Sequence, residues 1–103
     1  MLFAFSIAPA TAADESGSVS DAVADVIQVV RDSGLPHRTD AMFTTVEGEW
    51  DECLAVIKAA CEACAQHSPR VSLVLKADLR PGRTGELDGK LERLEAKIAG
   101  RQG

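Results

Sequence analysis

Five polar side chains alternate with mostly apolar ones in three short segments of the chain. They are Ser6, Thr45, Glu47, Lys76 and Asp78. Alternate side chains of an extended strand point to opposite faces of a sheet, so these five would share the face opposite to their apolar neighbours. Carboxylates, hydroxyls and an ammonium group can accept from an exocyclic amine, donate to a ring nitrogen and offset a positive charge. The set therefore predicts a site for an aminopyrimidine joined to a cationic ring.

Two other roles are open for the charged members of this set. Glu47 and Lys76 could form a cross-strand ion pair, which would contribute about 0.2–1 kcal/mol. Glu47 or Asp78 could instead be the general base of an enzyme, which requires a carboxyl group that titrates near neutral pH. Thr44 lies on the core-facing side by strict alternation, so it is either a packed residue or is re-aimed by a bulge.

The cysteines and histidines form no recognisable catalytic or metal-binding motif. Cys61 and Cys64 have the spacing of a redox pair, but they lie late in a predicted helix, away from the end where the helix dipole lowers the pKa of a thiol. Cys53 and His67 would complete a four-ligand set, yet positions 53 and 64 are about 16 Å apart along one helix, too far for one tetrahedral ion. We expect core cysteines, no metal site and no catalytic residue.

The first half of the chain predicts a strand, a helix and a hairpin. Leu2–Pro9 is short, apolar and ended by proline, as expected of a buried strand. Ser18 and Asp21 then have the form of a capping box, and Val23, Val26, Ile27 and Val30 recur at helical spacing until Gly34 and Pro36 end the helix. The short stretch before the next helical pattern accommodates two strands, His37–Thr39 and Met42–Gly48.

The second half predicts a helix, a strand and a last helix. Trp50 begins the second helix, which ends near His67, and could line a pocket or anchor the helix on the sheet; its spacing with Cys53 favours an anchor. Arg70–Arg80 alternates apolar and polar residues, which indicates a strand with one packed and one partly wet face. A third helix carries an apolar seam formed by Leu87, Leu91, Leu94 and Ile98.

The order β-α-β-β-α-β with an added C-terminal helix predicts a single α+β domain of the ferredoxin-like type over residues 1–103. Two helices would cover one face of a four-stranded antiparallel sheet and leave the other face for a ligand, a partner subunit or both. The third helix is additional to this sandwich. Its apolar seam requires cover from a neighbouring subunit or from the open sheet face.

Charge and cysteine content limit the partners and the compartment. The formal net charge of -5 argues against a nucleic acid partner and favours a cationic small ligand. Three cysteines do not suggest a secreted disulfide framework, and the apolar N-terminal segment is preceded by no basic residue, which favours a strand over a secretory signal. No apolar run is long enough to span a bilayer. We expect a cytoplasmic protein with no membrane partner.

Three segments, 5–9, 42–52 and 76–80, together resemble the small thiamine-binding-protein family, and Glu-Gly-Glu-Trp-Asp at positions 47–51 is the most specific part. The resemblance extends from the first strand to the last helix. It implies a ferredoxin-like sandwich that assembles through its sheet into dimers or tetramers. It also implies binding of thiamine or its hydroxymethylpyrimidine half near the subunit interfaces, without a reaction. The chain departs from the family pattern at His37, Ala41 and Phe43, all within the predicted hairpin of His37–Thr39 and Met42–Gly48.

We therefore expect a non-catalytic carrier or sensor for thiamine or a related aminopyrimidine, assembled as a homodimer or homotetramer, with thiamine as its ligand and no cofactor. With the resemblance, the predicted ligand-binding residues are Ser6, Thr44, Thr45, Glu47, Lys76 and Asp78. One alternative is a structural or regulatory homo-oligomer without a small ligand. The other is an enzyme that acts on a small ligand with Glu47 or Asp78 as general base.

Overall fold

The computed structural model describes residues 1–10 and 18–101, in which two helices cover one face of an antiparallel sheet. The strands are β1 (Leu2–Pro9), β2 (His37–Thr39), β3 (Thr44–Glu47) and β4 (Val71–Asp78), and the helices are α1 (Ser18–Asp32), α2 (Trp50–Ala65) and α3 (Glu86–Arg101). The sheet order is β2-β3-β1-β4, with every neighbouring pair antiparallel. This is the predicted ferredoxin-like sandwich with an additional C-terminal helix.

The core lies between β1 and the two covering helices. Phe3, Phe5 and Ile7, at alternate positions of β1, are buried against α1 and α2. Burying a side chain of this size contributes about 1.5–3 kcal/mol, so β1 is a main source of stability. The helices contribute the remaining buried apolar side chains, which are Ala22, Val26, Val30, Cys53, Ile57, Ala60 and Cys64, and β3 contributes Val46.

The junction between β3 and α2 is tightly built. Glu49 and Glu52 form a reciprocal capping box: Glu49 N–H donates to Glu52 Oε1 at 2.8 Å, and the Glu49 side chain accepts from the Glu52 backbone. This satisfies backbone donors that the helix itself leaves free. A Cβ atom at Gly48 would lie 2.5 Å from Glu52 Oε1 and 3.1 Å from Cys53 Sγ. A glycine is therefore required for the capping carboxylate to pack this closely.

Two strands differ from the prediction, one in its extent and the other in the burial of its apolar face. The predicted strand Met42–Gly48 is shorter in the structure, because Asp40 N–H donates to Phe43 O at 2.9 Å and closes a turn that delays the strand until Thr44. In β4, Leu73 and Leu75 face the helix side but are 42% and 40% exposed, so the predicted packed face is wrong for this strand. β4 is the edge strand beyond β1, and the covering helices pack mainly over β1.

α3 begins over one end of the open sheet face. Each of the three strands β2, β3 and β4 supplies one contact to its first turns: Arg38 pairs with Asp88, Glu47 accepts backbone N–H groups, and Asp78 pairs with Lys90. The rest of the helix is exposed, including Leu91, Leu94 and Ile98 at 51%, 53% and 41%. The radius of gyration, 15.9 Å, exceeds the roughly 13 Å expected of a compact chain of this length, in agreement with a projecting helix.

Candidate functional site

The open sheet face brings together four of the six predicted ligand-binding residues. In the register, Ala4 of β1 lies between Thr45 and Lys76, and Leu2 lies between Glu47 and Asp78. Cross-strand partners share a face, so these four residues form two adjacent rows on the face that the helices leave open. Ser6 continues the same face beside Val74. The predicted clustering of the five alternating residues is therefore what the register shows.

Glu47 is engaged with α3. Its side chain is buried, with 7% of the residue exposed, and its two carboxylate oxygens accept Glu86 N–H at 2.8 Å and Leu87 N–H at 3.2 Å. A carboxylate at the start of a helix satisfies orphan donors and interacts favourably with the helix dipole. The Glu47 carboxylate therefore anchors α3 on β3. The alternative in which Glu47 pairs with Lys76 is not the arrangement that the structure has.

Asp78, in the same row as Glu47, is also paired with α3. Asp78 forms an ion pair with Lys90, and this hydrogen bond holds the pKa of the Asp78 carboxyl below its ordinary value. A carboxyl group with a lowered pKa does not titrate near neutral pH, which argues against Asp78 as a general base. Lys76 is exposed and Thr45 is half-buried. The binding roles of Lys76 and Thr45 stay predictions.

Thr44 is a packed residue. It is 6% exposed, its strand partner on the core side is Phe5, and its Oγ1 lies 3.3 Å from Thr39 Oγ1. Of the two possibilities that the sequence left open, a bulge and a packed position, the structure has the packed position. The two threonine hydroxyls form a polar pair at the edge of an otherwise apolar region.

A cavity of about 260 Å³, here called the hydroxyl cavity, lies beside this pair. Its walls come from the end of β1, from one face of α1 and from the turn between β2 and β3. The lining residues are Phe5, Ser6, Ile7, Ala8, Val23, Val26, Ile27, Thr39, Asp40, Ala41, Met42, Phe43 and Thr44. The cavity is thus mainly apolar, with threonine hydroxyls and one carboxylate among its polar groups, which is the composition typical of small-molecule sites.

The hydroxyl cavity also borders an incompletely paired strand. β1 pairs with β4 over Leu2–Pro9 but with β3 only over Leu2–Phe5. Beyond Phe5, the β3 side of β1 faces the cavity through Ser6, Ile7 and Ala8. A strand edge offers a backbone N–H and a carbonyl oxygen side by side. This is complementary to a ring nitrogen next to an exocyclic amine, the hydrogen-bonding edge of an aminopyrimidine.

Sequence reasoning placed Ser6 and Thr44 in a ligand site but missed the other polar groups of this cavity. Thr39 and Asp40 lie at the exposed turn of the β2–β3 hairpin, where no periodicity selects them. One signal was present: two of the three positions that depart from the family pattern, Ala41 and Phe43, line the cavity. The departures at Ala41 and Phe43 therefore affect the shape of the hydroxyl cavity.

The cysteines are core residues, as predicted. Cys53 and Cys64 are buried and Cys61 is partly buried, and all three are free thiols. Burial raises the pKa of all three thiols, that of Cys53 to about 11. A thiol with a raised pKa is a poor nucleophile and a poor redox centre at neutral pH. Trp50, at 45% exposure, contacts Phe3 edge to face with ring centroids 5.7 Å apart, so it anchors α2 from a half-exposed position.

The family of this chain follows from how much of its sequence matches a known family pattern. The sequence pattern of the family described as "Thiamine-binding protein" matches residues 3–95. The chain belongs to the thiamine-binding protein family. An UPF0045 protein of Mycobacterium bovis is 47% identical over 96 residues, which cover 92% of this chain and 91% of the relative. Within residues 1–10 and 18–101, no helix is long and apolar enough to cross a membrane.

Two solved structures show how members of this fold compare with the chain. A hypothetical protein from Methanocaldococcus is 31% identical with a TM-score of 0.77, covering 91% of this chain and 94% of that one. A protein of Thermotoga maritima assigned provisionally to thiamine biosynthesis or salvage is 25% identical with a TM-score of 0.70, covering 84% of this chain and 91% of that one. The sequence match to the family and the structural match to these two proteins therefore support the same fold.

Proposed function

We propose that the protein binds thiamine or a related aminopyrimidine in the hydroxyl cavity and acts as a carrier or sensor. The observation that carries this proposal is the cavity itself, an apolar pocket in which the hydroxyls of Thr39 and Thr44 lie 3.3 Å apart beside the open edge of β1. Family membership supports the choice of ligand class. A flat aromatic ring would lie between the apolar walls while its nitrogen atoms bond to the hydroxyls and the strand edge.

The charge at the rim favours the complete vitamin over its neutral half. Among the lining residues that the structure describes, Asp40 is the only ionisable side chain, and it is exposed at the turn. A pyrimidine held inside the cavity would direct a linked cationic ring towards the opening, where a carboxylate offsets its charge. An exposed pair of this kind contributes about 0.2–1 kcal/mol, so we expect thiamine to bind a few times more tightly than hydroxymethylpyrimidine.

The same lining favours binding over catalysis. General acid–base chemistry uses a positioned group whose pKa lies near the operating pH, and nucleophilic catalysis uses a nucleophile with an adjacent base. Among the described lining residues, the hydroxyls of Thr39 and Thr44 contact each other, and the carboxylate of Asp40 is exposed at the turn. A non-catalytic role is therefore the proposal that these residues support.

We further propose that the protein works as a homodimer or homotetramer. Its accessible surface is 6760 Å², against roughly 5,600 Å² expected for a compact monomer of 10.9 kDa. This larger surface includes exposed apolar side chains, which another copy of the chain would cover in an assembly. The exposed apolar side chains that would be covered are Val74, Leu79, Leu91, Leu94 and Ile98.

Titration calorimetry with a matched pair of variants tests the ligand site. Thr44→Val removes one hydroxyl from the cavity side of β3 and keeps the shape, whereas Thr45→Val makes the same change one residue later on the open face. Loss of one hydrogen bond to the ligand should weaken thiamine binding by about 3- to 10-fold in Thr44→Val, with little change in Thr45→Val. Hydroxymethylpyrimidine and thiamine phosphate are titrated in the same way.

The opposite pattern would place the ligand elsewhere. If Thr45→Val weakens binding and Thr44→Val does not, the open sheet face is the site and the hydroxyl cavity is not. If the folded protein binds none of the three compounds, the proposed function fails, and the structural or regulatory homo-oligomer without a small ligand becomes the better explanation.

A further inference from the structure

The central strand β1 directs its backbone hydrogen bonds alternately to its two neighbours. In an antiparallel sheet, the N–H and carbonyl of one residue point to one side, and those of the next residue point to the other. Two bonds at the strand ends fix the sides: Ala10 N–H donates to Arg70 O at 2.8 Å next to β4, and Gly48 N–H donates to Met1 O at 3.1 Å next to β3. Even-numbered residues of β1 therefore bond to β4, and odd-numbered residues face β3.

On the β3 side, the backbone of Ile7 lies beyond the last strand pair. The preceding odd-numbered residue, Phe5, faces Thr44 at the start of β3. The same register would set Ile7 opposite Met42, but Met42 lies in the turn before β3 and is exposed. Among the described residues, no backbone hydrogen bond joins Ile7 to this turn. The N–H and the carbonyl of Ile7 therefore both face the hydroxyl cavity, which Ile7 and Met42 line.

We propose that the N–H and carbonyl of Ile7 recognise the ligand ring and select an aminopyrimidine over an oxopyrimidine. The selection rests on the proposed binding of thiamine in the hydroxyl cavity and would make that site specific. The Ile7 N–H would donate to the ring nitrogen next to the amine, and the amine would donate to the Ile7 carbonyl. Pro9, the next odd-numbered residue of β1, has no N–H, so beyond Phe5 only Ile7 offers both groups on this side of the strand.

The direction of β1 agrees with this placement of the ring. Within one residue the N–H precedes the carbonyl along the chain, so the Ile7 carbonyl is the group nearer to Ala8. Because β3 runs antiparallel to β1, the turn that precedes Thr44 lies beside the later residues of β1. In thiamine the linked cationic ring is attached beside the amine, on the side away from the bonded ring nitrogen. The linked ring would therefore point towards this turn, where the Asp40 carboxylate lies.

An oxopyrimidine reverses both hydrogen-bonding groups of this edge. Its ring nitrogen carries a hydrogen and its oxygen only accepts, so two donors would meet at the Ile7 N–H and two acceptors at the Ile7 carbonyl. Turning the ring over would restore both bonds, but it would direct the linked ring towards Phe5 and Thr44, where the pairing of β1 with β3 closes the cavity. A site that is built to form hydrogen bonds rejects an analogue that cannot form them, because its own polar groups are then left unpaired.

Thiamine and oxythiamine, which differ only in the exchange of the amine for an oxo group, test the selection on the unmodified protein. Both compounds carry the linked cationic ring, so neither the charge at the rim nor the size of the cavity distinguishes them. Calorimetry should show that oxythiamine binds at least about 30-fold more weakly than thiamine, because two hydrogen bonds cannot form. In Thr44→Val both compounds should bind more weakly, and the ratio of their affinities should stay the same, since the backbone of β1 is unchanged.

Amide hydrogen exchange tests whether Ile7 makes the contact. In the free protein the Ile7 amide should exchange faster than the amides of Ser6 and Ala8, which point to β4. Saturating thiamine should slow the exchange of the Ile7 amide at least about tenfold and leave Ser6 and Ala8 little changed. It should also shift the carbon-13 resonance of the Ile7 carbonyl. Oxythiamine at the same concentration should produce neither effect.

Several results would overturn the selection by Ile7. Equal affinities for thiamine and oxythiamine would mean that the protein does not distinguish the two ring edges. If Thr44→Val weakens thiamine binding but thiamine leaves the Ile7 amide unprotected, the ligand occupies the hydroxyl cavity without bonding to the strand edge. The proposed function then stands and the role of Ile7 fails. If the folded protein does not bind thiamine, both proposals fail.

Discussion

The Glu47 carboxylate connects three parts of the protein that are distant in sequence. It lies at the end of β3, caps α3 some forty residues later and lines a cavity of about 450 Å³ at the corner between β3 and α2. Removing a partner from a buried pair of hydrogen bonds leaves unsatisfied donors, at about 1–3 kcal/mol. A role for this residue in ligand binding cannot therefore be tested by Glu47→Gln alone, because the same substitution weakens the attachment of α3.

The three thiols should differ in reactivity according to burial. Burial raises the pKa of Cys53 to about 11, with the neighbouring Glu52 carboxylate as a further cause, whereas Cys61 is partly exposed. The thiolate is the reactive form, so at pH 8 we expect iodoacetamide to modify Cys61 first and Cys53 and Cys64 only after denaturant is added. Mass spectrometry of the digested protein measures this order.

Two variants check that burial is the cause. In Cys61→Ser the folded protein should react slowly with iodoacetamide at all remaining thiols, while Cys64→Ser should keep the fast reaction of Cys61. Rapid formation of a Cys61–Cys64 disulfide under mild oxidation would contradict the assignment of both residues to the core.

At the scale of elements, α3 is attached mainly through polar contacts. Glu86, at 4% exposure, accepts from Arg93 at 2.7 Å and from Arg83 at 3.1 Å, and these hydrogen bonds hold the pKa of its carboxyl below the ordinary value. Hydrogen bonding to Lys90 lowers the pKa of Asp78 in the same way. Few apolar side chains of α3 are buried, so the docking of this helix depends on charge more than the packing of α1 and α2 does.

The docking of α3 should therefore weaken in acid. A carboxyl whose pKa is lower in the folded state contributes stability above its unfolded pKa, near 4.3 for glutamate, and loses it as the pH falls through the folded pKa. We expect amide hydrogen exchange across Glu86–Arg93 to accelerate relative to α2 as the pH falls below about 4, after correction for intrinsic exchange.

Glu86→Gln should show faster exchange in α3 at pH 7 and a smaller change on acidification. Glu92, an exposed residue of the same helix, provides the control, and Glu92→Gln should behave as the unmodified protein. If Glu86→Gln and Glu92→Gln show the same pH dependence, the ion pairs of Glu86 do not hold α3.

Local patterns predicted the elements well, and long-range contacts account for the differences. The bounds of β1 and β2 agree because proline and turn residues end these strands in the sequence itself. The exposure of β4 depends on where α1 and α2 end on the sheet, which periodicity cannot reveal. Likewise, alternation correctly placed Glu47 on the open face, but its bond to Glu86 joins residues 39 positions apart, and no local spacing encodes that contact.

At the scale of the whole molecule, an extent of 55 × 30 × 19 Å describes an elongated protomer with an uncovered helix. If a second copy covers the α3 seam, Leu91→Gln combined with Leu94→Gln should lower the mass measured by sedimentation velocity. Ala96→Gln introduces the same side chain outside the seam and should leave the mass unchanged. A monomeric unmodified protein at the concentrations used for thiamine titration would contradict the proposed assembly.

The position of β1 between β3 and β4 has a consequence for synthesis on the ribosome. The first strand made is the central strand of the sheet, and it pairs on both sides with strands made later, the last of them ending at Asp78. Until that point, Phe3, Phe5 and Ile7 have no complete sheet to join, and an unpaired apolar strand is prone to aggregate. The nascent chain should therefore depend on chaperone protection until β4 has left the exit tunnel.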